Sequence, residues 1–102
     1  MSEYEGAVTE HAVMQVDPAR AEEFEAVLPE ALAVLAASPG CRSARAGRRV
    51  EAPGAYLLLV EWETLADHVE VFRGSPAFDR WRGLVRDFWL ELPTVEHFTR
   101  LS

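Results

Sequence analysis

The 102-residue chain contains no lysine, asparagine or isoleucine, and it has a single cysteine, Cys41. One cysteine excludes an intrachain disulfide and any zinc site built on paired cysteines, and it fits a reducing compartment. The missing residue types, set against abundant alanine and arginine, fit a GC-rich coding sequence and carry no information about activity. No run approaches the ~18 apolar residues needed to span a bilayer, and the acidic start MSEYEG lacks the apolar segment of a secretory signal. A cytoplasmic protein with no membrane partner is therefore expected. Positive charge is also short. A net charge of −7 disfavours tracking a phosphate backbone, so no nucleic-acid partner is expected. The one basic cluster, Arg42, Arg45, Arg48 and Arg49, has no interleaved aromatic residues and reads as a solvated sheet edge or a surface that pairs between subunits. Gly-rich phosphate loops, a nucleophile elbow and a flavin fingerprint are absent, and no two histidines share helical i, i+4 spacing. Neither a nucleotide cofactor nor a metal is expected.

What is present describes one domain over residues 1–102, with an acidic tail at 1–6. A hydrophobic fraction of 49% beside 26% charged residues is that of a globular chain, which at this length buries about two-thirds of its unfolded surface. Residues 7–16 alternate, with Val8, Glu10, Ala12, Met14 and Val16 on one side, and read as a first strand. Asp17-Pro18 is a helix start, and Ala21, Phe24, Leu28, Ala31, Leu32 and Leu35 recur at helical spacing to about Ala37, with a kink or break expected at Pro29. Pro39-Gly40 ends that helix. An Arg-rich strand over 41–50, the Ala52-Pro53-Gly54 turn and the strand YLLLVEW over 56–62 follow. Thr64 and Asp67 form a Thr-x-x-Asp capping box, opening a short helix with the stripe Leu65, His68, Val69 and Phe72. Ser75-Pro76 opens a second helix whose stripe runs Phe78, Trp81, Val85, Phe88, Trp89, Leu92, and residues 94–101 form a last strand.

Strand, helix, strand, strand, helix pair, strand is the order of an α+β ferredoxin-like βαββαβ domain, a four-stranded antiparallel sheet with helices on one face. Both faces of 56–62 are largely apolar, and no chain is left to cover the second. A homodimer through the sheet faces is the economical expectation.

The segments VTEHAVMQVDPARAEEF, ASPG, YLLLVEWETLADHVEVFRGSPAFDRWRGLV and LPTVEHF together resemble the antibiotic biosynthesis monooxygenase (ABM) domain family across nearly the whole chain. The resemblance implies a ferredoxin-like fold that dimerises into an α/β barrel, with a pocket between sheet and helices in each subunit. It also implies cofactor-independent oxygenation of an aromatic small molecule, phenolic or polycyclic, as one activity of the family, with Trp62 at the position of the family's pocket tryptophan. The haem-degrading branch needs an asparagine on the first strand and a histidine early in the long helix. Ala12 and about Arg82 stand there, so the resemblance does not extend to haem degradation.

Cofactor-free oxygenation of this kind needs an apolar cavity, a base to ionise the substrate and a donor for the oxyanion. Trp62, Tyr56, Phe72 and Trp81 are candidate cavity walls, against the simpler reading of aromatic core. His68 is the candidate base because its spacing turns it inward, and the simpler reading is a buried histidine bonded to a carboxylate or carbonyl. Glu10, on the covered face, is the second candidate, with an arginine salt bridge as its plain alternative. Arg73 can steady an anionic substrate or simply end a helix. By parity His11 and His97 are both assigned to the open, dimer-side face. A non-catalytic binding or accessory protein, favoured by the small number of polar pocket residues, and an oxygen-independent isomerase or cyclase are the alternatives to an oxygenase.

Overall fold

The period-two pattern near the start becomes β1, Val8–Gln15, whose alternate residues Val8, Glu10, Ala12 and Met14 are all buried. In the computed structural model, which describes residues 6–102, most of the expected tail at 1–6 lies outside the described residues. Asp17 Oδ1 accepts from the Ala19 amide at 2.9 Å, and Pro18 opens a 3₁₀ turn, Pro18–Arg20, that leads into helix α1, Ala21–Ala36. The break expected at Pro29 does not occur, because α1 is continuous through it. An interior proline costs about 3 kcal/mol, whereas each fully buried Phe or Leu contributes roughly 1.5–3 kcal/mol. Phe24, at 0% exposure, and Leu35, at 1%, flank Pro29 on the buried stripe and outweigh it.

Strand β2, Cys41–Arg48, lies at the edge of the sheet, as its Arg-rich sequence predicts, and Arg48 pairs with Glu25 of α1 at 3.0 Å. Strand β3, Ala55–Trp62, and β4, Thr94–Phe98, complete a four-stranded antiparallel sheet in the order β2-β3-β1-β4. This is the ferredoxin-like βαββαβ fold. Helices α1 and α2, Pro76–Val85, pack on one face of the sheet around a single core that includes Met14, Phe24, Leu58, Val60, Trp62, Trp81 and Val85. The other sheet face, carrying Val13, Leu57, Leu59 and Phe98, has no helix against it among the described residues; Val13 and Phe98 are 39% and 48% exposed.

Two elements differ from the sequence reading. The second helix does not run to Leu92 but stops at Val85, followed by a 3₁₀ turn, Arg86–Phe88. The Leu90 amide then donates to the Gln15 carbonyl at 2.8 Å, and Trp89 bridges to Val16, so this segment joins the end of β1 instead of continuing as helix. Pro93 disfavours helical geometry at Leu92, but α2 ends well before it, where the 3₁₀ turn leads the chain to the end of β1. The short helix after β3 is wound as a π turn, Asp67–Phe72, entered from Thr64, whose Oγ1 accepts from the Asp67 amide at 3.1 Å.

Candidate active site

The site lies where β1, β3 and β4 meet the π turn. Register places Glu10 opposite Val60 on one side and His97 on the other, so Glu10 and His97 share a pleat face, the face under the helices. The assignment of His97 to the open face is therefore wrong. Strand parity fixes only which residues of β4 alternate, and the face itself is set by the β1–β4 register. His11 does lie on the open face, its ring 4.5 Å from that of Phe98.

Four polar side chains form one buried line. The Trp62 indole, fully buried, donates to Glu10 Oε1 at 3.0 Å. His68 Nε2 stands 3.4 Å from the same oxygen. That is longer than a closed hydrogen bond, a common state of acid–base pairs before substrate binds. On its other side, His68 Nδ1 is 2.7 Å from His97 Nε2, a hydrogen bond in either of the two possible directions. The Trp62 and His68 rings stack 5.2 Å apart at 12°, which fixes the plane of the imidazole.

Burial pushes these groups apart. Desolvation raises Glu10 above the usual carboxylate range, against the Trp62 hydrogen bond and the positive charge of Arg73. Desolvation also lowers His68 to about 3, with Arg73 and His97 acting in the same direction. Half-buried His97 is lowered too, by desolvation and then by Arg73. Burial thus disfavours charge on both Glu10 and His68, which works against an ion pair between them. The tautomers are linked to it. With Glu10 in its acid form, His68 Nε2 presents a lone pair to it and His68 Nδ1–H donates to His97 Nε2.

A cavity of about 210 Å³ opens beside this line, walled by Phe72, Phe78, Trp81 and Trp89, with Glu10, His68 and Arg73 on its lining. Arg73 arrives by the π winding: its amide donates to the His68 carbonyl at 3.1 Å, five residues back. In an α-helix, at 3.6 residues per turn, residues five apart diverge by about 140°, whereas π winding stacks them. Arg82 also lines the cavity, and neither arginine makes an ion pair among the described residues. The Trp89 indole N–H is buried with no partner among the described residues. Sequence reasoning missed His97, Arg82 and Trp89 as site residues. Trp89 is masked in the sequence by apolar spacing that continues the stripe of α2.

Of the residues expected from sequence, Glu10, His68, Phe72, Arg73 and Trp81 meet at the cavity. Trp62 does not line it but stands behind, holding Glu10 and His68. Tyr56 is elsewhere: its hydroxyl donates to Glu25 Oε2 at 2.7 Å, outside the cavity lining. Tyr56 and Trp62 do share the covered face of β3, but they sit at opposite ends of the strand, and the cavity forms at the Trp62 end. Among the described residues no group of three His, Cys, Asp or Glu is placed to hold a metal, and no helix is long and apolar enough to cross a membrane.

Fold and site together define a small ferredoxin-like domain with an acid–base line beside an apolar cavity. The ABM family profile, described as antibiotic biosynthesis monooxygenase, matches residues 7–84, and the chain belongs to that family. A Bacillus subtilis relative, the uncharacterised protein YczJ, is 38% identical over 91 residues, covering 89% of this chain and 96% of that one. A solved structure from Bordetella bronchiseptica, a candidate antibiotic biosynthesis monooxygenase, superposes with a TM-score of 0.90 at 36% identity, covering 96% of this chain and all of that one. A Caulobacter crescentus structure of the same description shares the fold, with a TM-score of 0.83 at 24% identity over 98% of this chain and 94% of that one.

Proposed function

We propose that this protein is a cofactor-independent monooxygenase that oxidises an electron-rich phenolic or polycyclic aromatic in the cavity beside Glu10 and His68. The observation that carries the reading is a neutral histidine and an acid-shifted carboxyl on the lining of one aromatic-walled cavity. Groups pushed apart in this way divide the proton work: His68 Nε2 accepts the substrate's proton, and Glu10, favoured in its acid form, donates to the oxyanion that results. The ionised ring reduces dioxygen itself. One oxygen atom bonds to the ring carbon, and the O–O bond breaks as that carbon loses its second hydrogen. The other oxygen leaves as water, giving a quinone-type carbonyl. Arg73 and Arg82, neither of which makes an ion pair among the described residues, favour a substrate that is anionic or becomes so. At about 210 Å³ the cavity lies below the ~300–1,000 Å³ typical of pockets for drug-sized ligands and suits a compact ring system.

The working form is a homodimer through the helix-free sheet face, supported by Val13, Leu57, Leu59 and Phe98 standing there without cover. A monomeric mass by light scattering at micromolar concentration refutes that part. For the reaction, oxygen uptake is measured with anthrones and hydroquinones. Stoichiometric uptake, with His68→Ala inactive but folded, is the expected result. Binding without uptake would make this an accessory protein of the same fold, and turnover under anaerobic conditions would make it an isomerase or cyclase.

A further inference from the structure

We propose that His97 is the outer terminus of a two-histidine proton relay: His68 takes the substrate proton on Nε2 inside the cavity while its Nδ1–H passes to His97 Nε2, and His97 releases Nδ1–H to water. The inference rests on the oxygenase reading for the direction of proton flow, but on geometry for the path. The Nδ1 to Nε2 distance is 2.7 Å, short for a bond between two imidazoles and suited to transfer without movement of either ring. His68 is 3% exposed, while His97 is half-buried on β4 and does not line the cavity. His97 Nδ1 has no hydrogen-bond partner among the described residues, which leaves that nitrogen to exchange with solvent. The titratable and charged groups facing the pair are Glu10 from β1 and Arg73 from the end of the π turn. A cation held on His68, which is 3% exposed, would sit beside the positive charge of Arg73. Passing the charge outward makes a poorly basic buried imidazole usable.

The relay also balances over the reaction. Two C–H protons leave the substrate carbon, dioxygen takes up its four electrons, and two protons return to the oxygen that departs as water. Each outward transfer leaves His68 with Nε2–H and His97 with Nε2–H. Each inward transfer starts with water protonating His97 Nδ1, moves Nε2–H to His68 Nδ1 and delivers the Nε2 proton to the departing oxygen, which restores the starting tautomers. Neither ring has to turn.

His97→Gln keeps a side chain able to hydrogen-bond His68 Nδ1 but cannot carry a proton through. The first readout needs no substrate: the exchange with water of the His68 ring N–H, followed by nitrogen-15 NMR on the full-length protein. Exchange should slow at least ~10-fold in His97→Gln, although the hydrogen bond remains. The second is oxygen uptake with anthrone, where kcat should fall ~10–100-fold with KM unchanged, and imidazole should restore part of it in His97→Ala. Unchanged ring exchange in His97→Gln overturns the relay, as does unchanged kcat. Slowed exchange in a protein that consumes no oxygen with any probe keeps the relay and removes the oxygenase reading instead. If His97→Gln does not fold, imidazole rescue of oxygen uptake in His97→Ala decides, and its absence overturns the relay.

Discussion

Charging His68 is the most costly single protonation this structure defines, and its cost should be visible as acid instability. Its side chain is 4% exposed, and its pKa falls from 6.5 to about 3 through burial, then Arg73 and His97. A group lowered in this way contributes stability that is fully present above its unfolded value and is lost as pH falls through its folded value. The window therefore runs from about 6.5 down to about 3. At 1.36 kcal/mol for each tenfold change in proton affinity the whole window is worth about 5 kcal/mol, of which about 3 kcal/mol is lost by pH 4. Glu10 acts with the opposite sign: raised by burial, it contributes stability that is complete below its ordinary value of 4.5 and is lost as pH rises through its folded value. Wild-type stability alone therefore mixes the two. Subtracting His68→Gln, which keeps Glu10, isolates the imidazole. At pH 7 the variant should be the less stable, having lost the stack on Trp62. By pH 4 the difference should have moved about 3 kcal/mol in favour of the variant, a urea midpoint change of roughly 2 M for a domain of this size. Urea unfolding of both proteins from pH 4 to 8, at one fixed protein concentration, measures it. A difference that stays constant between pH 7 and pH 4 would refute a His68 held neutral by burial.

Trp62→Phe removes the donor to Glu10 and part of a fully buried ring, and should cost about 2–4 kcal/mol in urea unfolding while moving the Glu10 pKa further upward in a carbon-13 NMR titration. Tyr56→Phe should leave oxygen uptake at the wild-type level, because its hydroxyl is engaged with Glu25 away from the cavity; a tenfold loss would place Tyr56 in the site after all. Gly40 has a φ of +81°, and a Cβ there would overlap the Asp67 side chain. Gly40→Ala should therefore destabilise by about 1–3 kcal/mol, lowering Tm by roughly 10 °C in calorimetry, with a loss of activity since Asp67 opens the turn that carries His68.

Period-two alternation placed Glu10 and Trp62 on the covered face correctly, and helical spacing turned His68 inward. These are local signals, and the sequence carries them in full. His97 shows where locality ends. Its alternation within β4 is plain, but which face is covered follows from pairing with β1, more than 80 residues earlier in the chain, through hydrogen bonds that carry no side-chain signature. The same limit hid the difference between Tyr56 and Trp62, which share a face but only one of which adjoins the cavity. A fold repeats its pattern along the whole sheet, whereas a site occupies one end of it.

That end is defined by two departures from α-helical geometry, and both shape the cavity at the expense of regularity. Had the π turn been an α-helix, Arg73 would point about 140° away from His68, and the imidazole pair would lose the charge that disfavours a resident cation. Had α2 run on to Leu92, as its apolar spacing predicts, Trp89 would lie on the helix stripe rather than bridge to Val16, and the wall it gives the cavity would be missing. The apolar stripe in the sequence is a record of burial, and it is the same whether a residue is buried by helix packing or by lining a cavity. The 3₁₀ turn Arg86–Phe88, where the helix ends, is what turns one into the other. The Trp89 wall of the cavity thus follows from the early end of α2, and the juxtaposition of His68 and Arg73 follows from the π turn.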